Sequence, residues 1–181
     1  MVAVVVFGFS GMRCQPLRRA LGIKVEFQMN ELCDKEILSP EELQTEVLKR
    51  LEIYDKKSLL EMFALYLGKA QLLEFALKKL LIELFGFKLE ELERKTLGQT
   101  RWLLKEKGLR EDYLSLLEGV VNDRNHAAHE MLANQAITAS FNIEFSERMQ
   151  FKELQDSAYN LEQAIILFDY IQYNHAWLPN A

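Results

Sequence analysis

Two of the three histidines stand in one short stretch, Arg124-Asn125-His126-Ala127-Ala128-His129, at the end of an apolar helical run. The stretch groups a permanent cation, an amide and an imidazole of a type that titrates near neutral pH. Asn125 and His129 are spaced i,i+4, so an α-helix puts them on one face, and the long arm of Arg124 can swing toward the same patch. Such a set can hold a phosphate and move a proton beside it. His126 neighbours His129 at i,i+3 and is an accessory candidate. The bland alternative is that Arg124 pairs with Asp123 or another carboxylate of the bundle, while His129 makes an ordinary polar contact at a helix end.

The elements that must position these residues are helical. Ser39-Pro40-Glu41-Glu42 reads as a helix start, with Ser as cap, Pro in the first position and Glu three residues after the cap; Leu43, Val47 and Leu51 continue it as an apolar stripe. A second start at Asp55 opens a run to about Phe85, where Leu59, Phe63, Tyr66, Ala70, Leu73, Leu77, Leu80 and Leu84 recur by threes and fours. Leu65, Leu72, Phe75 and Ile82 add apolar surface off that stripe, which suits a central helix or a subunit interface. Gly86 stops the run. Short helices are expected around Leu89 to Arg94 and Gly98 to Glu106, with a break at Gly108. Leu114, Leu117, Val121, Arg124 and Ala128 form the next stripe, and a last helix spans about Phe151 to Tyr173. Between them, residues 137–145 alternate apolar and polar side chains, the pattern of a short strand or of a loop pinned by Phe141 and Phe145.

Composition bounds the rest. A chain of 181 residues, 49% hydrophobic and 27% charged, suits one soluble domain with a proper core. Cys14 and Cys33 are too few for a disulfide framework and read as reduced thiols of a cytoplasmic protein. The net charge of −5 excludes a broad basic surface for nucleic acid. Residues 1–28 carry +3, leaving −8 for the remainder, so any RNA must be gripped locally. The apolar stretch Val2 to Phe9 precedes its basic residues, the reverse of a signal peptide, and is too short to span a membrane. It reads as a buried strand, a lead-in, or sequence upstream of a start at Met12 or Met29; a peripheral extension over residues 1–38 is the reading adopted.

Competing chemistry is poorly supported. His126, His129 and Glu130 lack the His-Glu-x-x-His order of a zinc protease and a clear third ligand, and no histidine has the Glu three positions earlier that a di-iron bundle needs. Gly8 and Gly11 lack the Gly-Lys-Ser/Thr of a phosphate loop. No metal or cofactor is therefore expected. Trp102 and Trp177 read as core or interface anchors, and Glu90, Glu91 and Glu93 as a solvated face.

Arg124-Asn125 followed after three residues by His129 resembles the Arg-Asn-x-x-x-His signature of HEPN domains, a superfamily of small α-helical bundles. Leu97-Gly98-Gln99 with its amphipathic run, and Leu117 to Asp123 leading into the motif, are similar to many bacterial members. The resemblance covers roughly residues 40–175. One departure is Glu130, where many relatives carry Gly. The resemblance implies metal-independent RNA cleavage in many members, two motifs meeting across a homodimer cleft, and toxin or defence roles with an antitoxin or other partner. It implies for Arg124 stabilisation of a phosphorane, for Asn125 orientation, and for His129 proton transfer; it assigns nothing to His126. Other members are non-catalytic modules that bind RNA or a partner protein. The expectation is thus an all-α, up-and-down helical bundle of four to five main helices over residues 39–181, homodimeric and not membrane-bound. An open, cation-rich groove at Arg124 and His129 favours cleavage; burial of either favours the module.

Overall fold

The computed structural model describes residues 38–131, 133 and 147–178. Six α-helices make up these residues: α1 (Pro40–Leu51), α2 (Leu59–Phe85), α3 (Leu89–Leu92), α4 (Leu97–Glu106), α5 (Glu111–His126) and α6 (Glu147–Tyr173). A 3₁₀ turn, Glu52–Tyr54, follows α1, and a π-helical turn, Ala127–Met131, follows α5. The all-α bundle expected from the apolar periodicity is what the chain forms. The extension over residues 1–38, apart from its last position, and the alternating segment 137–145 lie outside the described residues, as do Cys14 and Cys33. No described helix is long and apolar enough to cross a membrane.

Local chemistry sets the helix ends. Ser39 caps α1 through a reciprocal box with Glu42: the Ser39 Oγ accepts from the Glu42 amide at 3.2 Å, and the Glu42 carboxylate accepts from the Ser39 amide at 3.2 Å. The long second helix starts at Ser58 instead of Asp55. Ser58 has Glu61 three residues on and closes the same box, with its Oγ accepting from the Glu61 amide at 3.3 Å and its own amide donating to Glu61 at 2.9 Å. Asp55 has Ser58 at that position, which cannot reach back as a carboxylate does. Replacing Ser58 with Ala is expected to cost about 1 kcal/mol of stability, read as a lower urea midpoint; an unchanged midpoint would remove the cap from the account. Gly86 ends α2 in the left-handed conformation (φ 70°), where its amide bonds the Ile82 carbonyl at 3.1 Å.

The last helix is the hub, α6 packing against α1, α2 and α5, and the second is central as its composition suggests, packing against α3, α4, α5 and α6; α4 bridges α2 and α5. One core runs through them, with Leu73, Leu77 and Leu81 of α2, Leu114, Leu117 and Val120 of α5, and Leu154, Ala158, Leu161 and Ile165 of α6 buried together. Each fully buried leucine contributes about 1.5–3 kcal/mol relative to exposure. The outer side of α2 is left open at Leu60 and Phe75, and Leu84, near its C-terminal end, is exposed as well. Leu84 therefore leaves the buried stripe to which its spacing assigns it. Trp177 is a core anchor, edge-on to Tyr113 at 5.3 Å and tilted against Phe168 at 5.0 Å, but Trp102 is 56% exposed and anchors nothing in the core.

Three contacts hold the motif-bearing helix. Tyr113 donates to the Ala164 carbonyl of α6 at 3.0 Å. Arg101 of α4 clasps α5 through the Leu114 carbonyl at 2.9 Å and Glu118 at 2.6 Å. Gly98 of α4 lies so close that a Cβ there would stand 3.3 Å from Val121 Cγ1, one turn before the motif.

Candidate functional site

On α5 the buried register runs Leu117, Val120, Ala127 and Met131, with Val121 and Ala128 only half-buried. The core line is thus one residue displaced from the expected stripe after Leu117. Steps of three, four, three and four along it pass through Arg124, so this cation occupies a core-facing position and is half-buried. Long cationic side chains at such positions bury their stems and keep the head in water, and the Arg124 head bonds the exposed Asn125.

The second correction concerns the helix itself. The final turns were expected to be α-helical, placing Asn125 and His129 together. From Ala127 to Met131 the backbone is instead a π turn, widened to i→i+5 hydrogen bonding. Residues five apart stand roughly 140° from each other in an α-helix. A wider turn advances less per residue, so the spacing rules of an α-helix do not carry across it. Ala127 and Met131 keep their buried positions across the widened segment, so the core is served on both sides of it.

The side chains are placed as follows. Arg124 Nη1 donates to Asn125 Oδ1 at 3.3 Å, so these two are joined directly. His129 and Asn125 are exposed. Among the described residues no hydrogen bond engages the His129 ring, and no carboxylate pairs with Arg124; the Arg124–Asp123 pair of the bland reading is not formed. Asp123 instead accepts from Asn160 Nδ2 of α6 at 2.9 Å. The C-terminal end of a helix favours positive charge, which suits Arg124.

His126 does something different. Its Nδ1 lies 3.1 Å from Glu130 Oε2 and its Nε2 lies 3.6 Å from Glu153 Oε2, so it bridges the π turn to α6. The two ring nitrogens face separate carboxylates, and among the described residues no three ligating side chains converge on a metal-sized space. Arg124 and His129 both reach solvent, the exposure that favours cleavage, but among the described residues no cation-rich groove surrounds them: Asp123, Glu130 and Glu153 flank the motif. A shallow depression lined by Leu109, Arg110, Asp112, Ala176 and Leu178 lies at the other end of α5, about 20 Å away along the helix axis.

One residue behind the motif escaped the sequence reading. Tyr66 of α2 counts there only as a member of the apolar stripe, and it is indeed fully buried. Its hydroxyl, however, has no hydrogen-bond partner, the one such buried side-chain atom among the described residues. Burial pushes its phenol above the ordinary value, the Asp123 carboxylate adds to that shift, and the Arg124 guanidinium opposes it. The signal available in the sequence was a tyrosine in a line otherwise built of Leu, Phe and Ala. No family model, curated protein or solved structure matches this chain.

Proposed function

We propose that this chain is a metal-independent endoribonuclease of the HEPN type that works as a cytoplasmic homodimer, in a toxin or defence role. The observation that carries the reading is the last turn of α5 and the π turn after it, which carry within six residues an exposed imidazole, an exposed amide and a guanidinium that among the described residues pairs with no carboxylate. In the reaction a ribose 2′-oxygen attacks the adjacent phosphorus, the P–O5′ bond breaks, and a 2′,3′-cyclic phosphate and a 5′-hydroxyl result. His129 takes the 2′-hydroxyl proton or supplies one to the leaving 5′-oxygen. Arg124 answers the negative charge that builds on the non-bridging oxygens through its paired N–H donors, and Asn125 fixes the guanidinium by the bond it already accepts. A second copy brings the other half of the cleft; the exposed Leu60, Phe75 and Trp102 offer apolar surface for such an association.

The test compares wild type, His129→Ala and Arg124→Ala on a mixed RNA pool with chelator present, scoring cyclic-phosphate ends. Equal cleavage by all three removes the proposal, and loss of activity in chelator points to a metal. Light scattering is expected to return twice the chain mass, and a strict monomer contradicts the shared cleft. The acidic flank of Asp123, Glu130 and Glu153 favours a second reading, a non-catalytic module that binds a partner protein such as an antitoxin, or RNA through a local grip. Binding without cleavage, unaffected by His129→Ala, identifies it.

A further inference from the structure

The side of α2 turned away from the core carries a pattern of its own. Leu73 and Leu77 are fully buried, and Phe75, two residues from each, is 65% exposed; at about 100° per residue it points the other way. Through Phe75 runs the line Glu61, Leu65, Gly68, Leu72, Phe75 and Lys79, spaced alternately by four and three. That is the spacing at which one helix lays a seam along another. Glu61, Gly68 and Phe75 are exposed, and Leu65, Leu72 and Lys79 are half-buried. Gly68 lies inside the helix, where glycine is weaker than alanine. Among the described residues nothing stands within 4 Å of a Cβ built there, so no neighbour in the bundle requires the gap.

Laid antiparallel on a second copy about position 70, the line complements itself. Glu61 of one copy meets Lys79 of the other, Leu65 meets Phe75, and Leu72 enters the gap at Gly68; a twofold axis repeats each pair. Parallel pairing in register would set Glu61 on Glu61 and Lys79 on Lys79, both repulsive. Sliding the antiparallel pair by one heptad would bring Lys79 onto Gly68 or Glu61 onto Leu72, burying a charge without a partner. We infer that α2 pairs with α2 of a second copy along this line, antiparallel and centred on position 70, and that Gly68 leaves room for Leu72 of the other copy. The pairing does not rest on the nuclease reading. It lies on the side of α2 turned from α5, so it is a contact separate from the shared cleft and leaves the two motifs apart.

The experiment uses the full chain with Cys14→Ser and Cys33→Ser, so that introduced thiols stand alone. Chains carrying Leu65→Cys and chains carrying Phe75→Cys, mixed and oxidised, are expected to cross-link, while either kind alone does not. Positions 65 and 75 face each other across the axis, whereas each stands about 15 Å along the helix from its own equivalent, beyond the reach of a disulfide. Cross-linking of either kind alone means parallel pairing and overturns the inference. Gly68→Arg is expected to return one chain mass by light scattering, with unchanged circular dichroism and a dissociation constant raised about a hundredfold or more. Phe75→Ser, at an exposed site, is expected to do the same and stands in if arginine disturbs the fold. A wild type of one chain mass overturns the inference and leaves the face to a different partner. Twice the chain mass persisting in both variants also overturns it, and places the contact elsewhere, as at the shared cleft. Halved mass with RNA cleavage intact keeps the seam and removes the shared cleft; a cross-linked wild-type register that cuts no RNA sinks the nuclease alone.

Discussion

Lys69→Met is expected to destabilise the bundle by about 3–5 kcal/mol, because it strands a buried carboxylate. Glu162 of α6 is 1% exposed and Lys69 of α2 is 5% exposed, and the two are directly paired. Tyr54 donates to the same Glu162 Oε1 at 3.0 Å, and Arg50 of α1 brings Nη1 to 4.0 Å from Oε2. Arg50 Nε is itself 3.3 Å from Glu46, and Lys69 Nζ sits 4.9 Å from the centre of the Tyr54 ring. Two cations and two anions therefore balance inside the joint between α1, α2 and α6. Methionine keeps the stem of Lys69 and removes only its charge, so the loss reports the unpaired Glu162 and not a cavity. Urea unfolding followed by circular dichroism gives the number. A loss under about 1 kcal/mol would show that water reaches Glu162. Lys69→Met with Glu162→Leu is expected to recover most of the loss, since a hydrophobic replacement of the whole pair leaves no stranded charge.

His129→Ala is expected to lower RNA cleavage by about a hundredfold or more, the usual cost of deleting a general acid or base. Arg124→Ala is expected to fall by about the same factor, as for an oxyanion donor. The two differ in their effect on the fold. His129 is exposed, and a surface change of this kind stays within about 0.5 kcal/mol of wild type. Arg124 fills a half-buried position in the core register, so its truncation also removes packing. Arg124→Lys keeps charge and most of the stem while losing the paired donors; its activity is expected to resemble Arg124→Ala and its thermal midpoint the wild type. Full activity in Arg124→Lys would mean that charge alone suffices there.

Helices whose ends are set by neighbours in the chain were legible from the residues. Ser39 with Glu42, and Gly86 after a run of leucines, need only local chemistry, and both act as their types suggest. The start of α2 was misplaced by three residues because Asp55 and Ser58 are both good caps, and only the carboxylate at Glu61 chooses between them. The wide turn after α5 was not legible. Asn125, His126, Ala127 and Ala128 all fit an α-helix, and Ala127 and Met131, four apart, would share a buried face in one too, so no residue type here marks the i→i+5 bonding. The charged joint was hidden for another reason: Lys69 and Glu162 lie 93 positions apart, and each alone looks like an ordinary helical charge. A signal existed in register, since Lys69 shares the line of Leu73 and Leu77, and Glu162 neighbours Leu161 and Ile165. Charges of opposite sign on two buried lines can be matched only once the helices are known to face each other.

That α6 serves as the hub has a consequence for how the chain reaches its native state. Helices α1, α2 and α5 are synthesised before the element that all three need, and the Tyr54–Glu162 bond spans 108 positions. Until residues 147–173 emerge from the ribosome, Lys69 and Arg50 have no Glu162, and the apolar faces of three helices stay wet. Closure is therefore a late, long-range event, and nascent chains stalled short of α6 are the species most in need of chaperones.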